Sequence, residues 1–330
     1  MGGKVDRREL LDPFAGMLAS CCAPADIRRI EAGGTHLEMW EAIESSGFLQ
    51  ALVPESQGGI GLRMASVAPL FMALGGNAVP LPVAETMIAR SLLSTAGIGT
   101  ISGSIALACQ NGAGSTFVPY GRVCDHVLID DGSALQLFDV RQLERQYTNV
   151  PGSVDAWLNL PKSGEALRII RPGSGISHLG ALVSAAAISG AADRLLDMTT
   201  TYANERVQFG KPIGRQQALQ QQLAVMAEDV IAVRLAAELA CQNSFLPSEI
   251  PAATAKIIAS NAAVRIANTA HAVFGAIGIS AEHDLQLFTR RLHNWRQAFG
   301  SEQYWQIRLG AKRLKSELRS IDWVRNTYEC

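Results

Sequence analysis

The sequence lacks the features that mark disulfide-stabilised, membrane-spanning and exported proteins. The six cysteines form neither a CxxC pair nor an even framework of spacings; they stand at positions 21, 22, 109, 124, 241 and 330, so structural disulfides are not expected. No stretch approaches the roughly 20 apolar residues that a spanning helix needs. The alanine-rich residues 179–192 are too short and contain two glycines, so they predict a buried helix instead. The first thirty residues carry charge throughout, which argues against a signal peptide and favours a cytoplasmic location.

An excess of charge of either sign is also absent. The 330 residues include 29 basic and 30 acidic side chains, for a formal net charge of −1. Neither nucleic acid nor an anionic membrane is therefore expected as a partner. His283 and His293 lack a third ligand at zinc-like spacing, so no metal site is expected either. The chain has no GxGxxG motif and no alternation of strands and helices, which disfavours a doubly wound dinucleotide domain.

The hydrophobic pattern divides the chain into three parts. Residues 1–99 and 178–330 show the three- and four-residue spacing of amphipathic helices. Residues 100–177 instead contain short β-prone runs separated by Gly, Pro, Asn and Asp. These runs are residues 104–108, 123–129, 134–138 and 166–170. We therefore predict a mainly α protein with an N-terminal helical domain, a small central β domain and a C-terminal helical bundle.

One segment carries a pattern suited to ligand binding. Residues 205–217 end one helix, turn through two glycines and a proline, and start the next helix. Backbone N–H groups at a helix start, beside Arg206 and Lys211, suit a phosphate. Phe209 offers an aromatic face to an adenine ring. On periodicity alone, an ordinary helix–turn–helix with a solvated basic edge explains the same residues.

Three blocks, taken in order, resemble the acyl-CoA dehydrogenase family. The letters Arg-x-Gln-Phe-Gly-x-Pro-Ile, followed by Gln217 and a long Leu-x-x-x-Ala helix, are similar to the family signature. Residues 271–285, followed by Arg290 and Arg291, are similar to its Gln/His-x-x-Gly-Gly-x-Gly segment and the arginine after it. Residues 53–61 resemble the "PEEYGGLG" loop of the family. Together the blocks span most of the chain.

The resemblance implies a flavoprotein oxidoreductase of fatty acid or steroid side-chain catabolism. Its fold would have an N-terminal helical domain, a truncated β domain and a C-terminal four-helix bundle. Its cofactor would be FAD, its substrate an acyl-CoA thioester, and its redox partner an electron-transfer acceptor.

The resemblance also assigns cofactor-binding residues. The pyrophosphate and adenine end of FAD would contact Arg206, Phe209, Gly210 and Gln217. A neighbouring subunit would bring His271 and the backbone of Gly275, Ala276 and Gly278 to the same cofactor. That arrangement implies a dimer or tetramer. For His271 taken alone, a hydrogen-bonded core histidine is the competing interpretation.

The parts of the family motif that serve catalysis are missing. The family's glutamate base occupies one of two positions, and counting from the matched motifs places Phe299 and Gly180 there; neither can accept a proton. Glu302 is a weak replacement candidate because a first-turn glutamate usually has a capping role. The two loops that flank the isoalloxazine ring in the family also have no counterpart. Residues 111–115 are the nearest match to the first of these loops.

These observations leave three hypotheses open. The first is a base-lacking subunit that binds FAD and pairs with a homologous, catalytically complete chain, as in the bacterial two-chain enzymes. The second is a self-sufficient homo-oligomeric dehydrogenase with an atypical base such as Glu302. The third is a flavin-free scaffold that retains only the family's dimer surface.

Overall fold

The computed structural model describes residues 7–110, 112, 114–161, 166–242 and 247–328. The chain is mainly α-helical with a small β region between two helical parts, as the sequence predicts. The N-terminal helices are α1 (Arg7–Cys21), α2 (Pro24–Glu31), α3 (Leu37–Ser45), α4 (Met64–Gly76) and α5 (Val83–Thr95). The domain boundaries near residues 99 and 177 stay predictions.

The central strands form two small sheets. The strands are β1 (Ile105–Cys109), β2 (Thr116–Val118), β3 (His126–Asp130), β4 (Ala134–Asp139), β5 (Glu144–Tyr147), β6 (Ala156–Asn159) and β7 (Leu167–Ile170). One sheet has the order β1-β3-β4-β7 and the other β2-β6-β5. β1 and β3 are parallel, and the remaining pairs in these sheets are antiparallel.

The four predicted β-prone runs are confirmed as β1, β3, β4 and β7, within a few residues at each end. The sequence did not indicate β2, β5 or β6. β2 has three residues, all four side chains of β5 are exposed, and β6 alternates buried and exposed positions over only four residues. Such short, partly solvated strands leave no apolar run to detect.

The C-terminal part is a four-helix bundle. Its helices are α6 (Ser177–Glu205), α7 (Gln217–Ala240), α8 (Glu249–Phe274) and α10 (Leu285–Gln297). The two-residue strands β8 (Val207–Gln208) and β9 (Lys211–Pro212) connect α6 to α7, and α9 (Ala276–Ile279) lies between α8 and α10. The chain continues with α11 (Glu302–Leu314) and α12 (Ser320–Tyr328).

The 29-residue helix α6 forms the axis of the bundle and packs against α4, α7, α8 and α10. Small residues allow this packing: a Cβ on Gly190 would overlap the carbonyl oxygen of Met72, and one on Gly75 would overlap that of Ala187. Among the described residues, α6 alone is long and apolar enough to cross a membrane, but 83% of its apolar window is buried inside the protein. It is therefore the buried helix that residues 179–192 predicted.

Candidate functional site

The bundle brings two groups of candidate residues to its opposite ends. At one end α6 stops, α7 begins and α8 passes through α9 into α10. We name this the turn end, formed by residues 205–217 and 271–285. At the other end α6 and α8 begin and α10 stops, facing β1, β2 and β6. We name this the cleft end, formed with residues 297–308.

A two-residue loop projects Phe209 from the turn end. Gln208 on β8 pairs with Lys211 on β9, so Phe209 and Gly210 form the loop between them. Both have positive φ, 52° and 79°, as the favoured type I′ hairpin turn requires. Positive φ is uncommon for a non-glycine residue, and the Phe209 side chain is 92% exposed. The loop thus presents an uncovered aromatic ring.

Positive charge and a helix start lie beside that ring. Arg206 caps the end of α6, and both Arg206 and Lys211 are exposed. Neither side chain forms an ion pair within the described part of the chain. Gln217 is the first residue of α7, where backbone N–H groups have no acceptor within the helix. This donor set fits a pyrophosphate, and the Phe209 ring fits an adenine.

The second motif block lies against the first within the same chain. Tyr202 near the end of α6 stacks on Phe274 at the end of α8, with ring centroids 4.3 Å apart. Ala203, Ile213 and Val273 form a small buried cluster between the two blocks. The two blocks therefore lie side by side within one chain. The expectation that the second block reaches the cofactor from a neighbouring subunit stays a prediction.

Local packing explains much of the second block. His271 Nε2 lies 3.0 Å from Thr289 Oγ1, and burial lowers the pKa of the half-buried imidazole. Gly275 ends α8 with φ 61°, and α9 begins at Ala276. A Cβ on Gly278 would crowd side chains of the same chain. The turn accounts for both glycines without a ligand, so their cofactor role stays a prediction.

The cleft end encloses a cleft of about 510 Å³, within the range of small-molecule sites. Its walls come from β1, β2 and β6, from the start of α6, from residues 297–300 and from α11. The segment 111–115 borders it at Ser115, but Asn111 and Ala113 lie outside the described residues. The cleft is therefore the place where elements from the β region and the bundle meet.

The two positions of the expected base contact one another beside this cleft. A Cβ on Gly180 would overlap the aromatic ring of Phe299. Phe299 has φ 55° and is followed by Gly300 with φ 95°, so two successive residues hold this loop in the left-handed region. The ring fills the space over Gly180, so a side chain at position 180 would overlap it, and neither residue carries a carboxylate.

Glu302, the weak replacement candidate, is bound to a cation. Its Oε2 accepts a hydrogen bond of 3.0 Å from Arg296 Nε, and its Oε1 accepts one from the Arg296 guanidinium as well. This bidentate bond lowers the pKa of the Glu302 carboxyl. A carboxylate that is paired in this way is a weaker proton acceptor.

The carboxylates that line the cleft are also paired. Asp130 binds Arg171 at 2.6 Å and accepts a hydrogen bond from the backbone N–H of Ile176, just before α6. Glu249 binds Arg308 at 2.7 Å and a lysine of α11 as well. Neither carboxylate is placed as an unpaired base.

Sequence reasoning missed a buried acid near the cleft, Glu85 on α5. Its side chain is 5% exposed, it has no ion-pair partner among the described residues, and burial raises its pKa to about 7. Tyr120 and Trp295, which are joined by a 3.2 Å hydrogen bond, line a small space with it. Tyr120 and Trp295 also line a cavity of about 390 Å³. Phe117 lines both this cavity and the cleft. The available signal was a single acidic residue in a first turn that is otherwise uncharged.

Comparisons with known proteins identify the C-terminal part most directly. Residues 177–315 match the family model described as "Acyl-CoA dehydrogenase, C-terminal domain". The acyl-CoA dehydrogenase IpdE2 of Mycobacterium tuberculosis is 29% identical over 317 residues, which cover 95% of this chain and 97% of that protein. The glutaryl-CoA dehydrogenase of Desulfococcus multivorans is 37% identical over 145 residues, which cover 43% of this chain and 36% of that protein.

Solved structures share the fold over nearly the whole chain. The ChsE4-ChsE5 complex from Mycobacterium tuberculosis contains a chain with a TM-score of 0.77 and 23% identity, covering 96% of this chain and 100% of that one. A variant of the Tcur3481-Tcur3483 steroid ACAD gives a TM-score of 0.79 at 20% identity, covering 94% and 99%. At these identities the likeness establishes the fold alone.

The buried Glu85 predicts an unusual pH dependence of stability. Between pH 4.5, its ordinary pKa, and about 7, the folded chain keeps a proton that the unfolded chain has lost. The free energy of unfolding therefore falls as pH rises through this window and stays lower above it. Glu85→Gln should raise that free energy at pH 8 by about 3 kcal/mol and change it little at pH 4.5.

Urea denaturation at both pH values measures this effect, with the exposed Glu41→Gln on α3 as the matched control. Equal changes at the two pH values for Glu85→Gln would show that the carboxyl does not titrate near neutrality.

Proposed function

Because this chain is a member of the acyl-CoA dehydrogenase family, we propose that it takes part in FAD-dependent α,β-dehydrogenation of an acyl-CoA thioester without supplying the base. The observation that carries the proposal is the contact between Phe299 and Gly180, which occupies both expected base positions. The paired state of Glu302 and of the cleft carboxylates supports it. A homologous chain that keeps the glutamate would supply proton abstraction.

FAD, when bound, supplies the hydride acceptor for the β-carbon of the substrate. This chain's contribution is to hold the adenine half at the turn end. Arg206 and the first N–H groups of α7 at Gln217 would hold the pyrophosphate, and Phe209 with Gly210 would form a surface for the adenine ring. His271 and residues 275–278 lie beside them and complete the patch. The exposure of Arg206 and Phe209 supports this assignment over a flavin-free scaffold.

The distance between the two ends of the bundle supports an oligomer. The 29 residues of α6 rise about 43 Å from Ser177 at the cleft to Arg206 at the turn end. Roughly fourteen bonds join the two ring systems of FAD, and even fully extended they span at most roughly 20 Å. One FAD therefore cannot reach from the turn end to the cleft of the same chain. A second chain would therefore have to take up the flavin ring of a cofactor held at the turn end.

The solved relatives are consistent with a partner of the same family. Two of them are named as pairs of chains, ChsE4-ChsE5 and Tcur3481-Tcur3483, the latter a steroid ACAD. We extend this arrangement to the present chain and infer a hetero-oligomer in the cytoplasm that passes electrons to an electron-transfer acceptor. The alternative of a self-sufficient homo-oligomer loses support because Arg296 holds its candidate base, Glu302.

Activity of the chain alone and with its partner tests the missing base. The chain purified alone should show little acyl-CoA dehydrogenation with an artificial electron acceptor, because no unpaired carboxylate stands at the expected positions. Co-expression with a homologous, glutamate-bearing chain should restore turnover, and replacing that glutamate in the partner should abolish it. Robust turnover by the lone chain would contradict the proposal.

Removal of one cation tests the turn end. Arg206→Ala should weaken FAD binding roughly tenfold or more, since a charged hydrogen bond to the pyrophosphate is lost. The ratio of flavin to protein absorbance in the purified oligomer measures it. Arg325→Ala on α12, which also removes an exposed arginine, is the matched control. Equal flavin content in both variants would place the cofactor elsewhere.

A further inference from the structure

Two neighbouring thiols lie in contact where α1 ends. Cys21 is the last residue of α1 and is partly exposed, whereas Cys22 is 6% exposed. Their sulfur atoms are 3.6 Å apart, although consecutive side chains of a helix normally point away from one another. Both cysteines are free, so no disulfide joins them. We name these two residues the thiol pair.

The thiol pair can form a disulfide with little movement of its sulfur atoms. An S–S bond is about 2.05 Å long, so the two sulfurs need to approach by roughly 1.5 Å. The Cα atoms of neighbouring residues are about 3.8 Å apart, below the roughly 4.4–6.8 Å of ordinary disulfides. A disulfide across such a short span is strained, and strained disulfides are readily reduced. The pair therefore suits a reversible oxidation.

Burial decides the order in which the two thiols react. Cys22 lines a groove of about 640 Å³, and burial raises the pKa of its thiol, which makes it less reactive. Cys21 therefore meets a peroxide first. Its sulfur attacks the O–O bond of hydrogen peroxide, which gives a sulfenic acid and one water. The Cys22 sulfur then attacks the sulfenic sulfur, the S–S bond forms, and the hydroxyl group leaves with the Cys22 proton as a second water.

Closing this bond disturbs the corner between α1 and α2. The Cβ atoms of a disulfide are about 3.5–4.5 Å apart, a separation that neighbouring side chains on different faces of a helix do not have. The backbone at the thiol pair therefore leaves the helical conformation. The 2.8 Å hydrogen bond from the Cys22 N–H to the Leu18 carbonyl is then lost. Because α2 begins at Pro24, two residues after the pair, its start moves with this corner.

α2 connects the corner to the turn end. Arg28 donates hydrogen bonds to the Glu282 carbonyl at 3.0 Å and to the Asp284 carboxylate at 2.6 Å. Both acceptors belong to the second motif block of the turn end. Glu31, the last residue of α2, binds two arginines of α10 at 2.6 Å. A displacement of α2 therefore loosens the segment that these side chains hold.

We propose that hydrogen peroxide closes the thiol pair to a disulfide and that this bond releases the hold of α2 on the turn end. The oxidation is a property of Cys21 and Cys22 and needs no cofactor. Its effect on FAD rests on the proposed function, in which the turn end holds the adenine half. The oxidised chain then binds FAD more weakly, and a thiol reductant restores the affinity.

Mass spectrometry of the peroxide-treated chain tests the bond. The peptide that contains the thiol pair should lose two hydrogen atoms and regain them with dithiothreitol, whereas Cys21→Ser and Cys22→Ser should not show this loss. Cys241→Ser is the matched control, because it removes another buried free cysteine and should leave the loss intact. An unchanged mass, or oxidation that stops at a sulfinic acid, would overturn the proposal. Cys21→Ser replaces a partly exposed side chain, so it keeps the test valid if Cys22→Ser does not fold.

Amide hydrogen exchange tests the coupling without any cofactor. Oxidation should speed exchange in α2 and at residues 280–285, and Arg28→Ala should speed it at residues 280–285 in the reduced chain as well. Arg29→Ala is the matched control, because the Arg29 side chain binds Asp26 within α2 and not the turn end. Faster exchange that stays confined to α1 after oxidation would contradict the coupling.

FAD binding separates this proposal from the proposed function. Oxidation of the FAD-loaded oligomer should weaken FAD binding roughly threefold or more, since the Arg28–Asp284 pair is partly exposed. Cys21→Ser should abolish this response. A disulfide that forms and leaves FAD binding unchanged would refute the release of the turn end. Equal flavin content in Arg206→Ala would refute the proposed function instead, while the mass and exchange results would still decide the role of the thiol pair.

Discussion

The rigid length of α6 is the constraint on which the rest of the structure depends. Eighteen of its 29 residues are buried, it packs against α4, α7, α8 and α10, and glycines at the contact with α4 let the two backbones approach closely. A helix that four neighbours hold in this way cannot bend to bring its ends together. The turn end and the cleft therefore stay about 43 Å apart. An extended dinucleotide is too short for that distance, which supports the proposed assembly with another chain.

The contact between Phe299 and Gly180 connects the two positions at which a glutamate base was expected. Each position alone could be read as an isolated substitution in the sequence. In the folded chain they are a matched pair, because the ring of Phe299 occupies the space that a side chain at 180 would need. Restoring a carboxylate at position 180 would require the aromatic ring to move. Phe299 makes this contact with a positive φ of 55°.

Much of the fold could be predicted from the sequence, because apolar periodicity and turn residues report local structure directly. The hydrophobic pattern predicts the long bundle helices and four of the strands. The glycines and proline of residues 205–217 predict the turn that contains Phe209 and Gly210. Contacts between distant residues are not encoded in this way. The meeting of Phe299 with Gly180, the closeness of the two motif blocks at the turn end, and the burial of Glu85 all depend on packing across elements.

We propose that the adenine half of a cofactor binds at the turn end while its flavin ring belongs to another chain. A crystal structure of the FAD-loaded oligomer tests this claim most directly. The account predicts the pyrophosphate beside Arg206, the adenine against Phe209, and the isoalloxazine ring of the same FAD in contact with a neighbouring chain. An FAD whose adenine and flavin rings both contact only this one chain would contradict it.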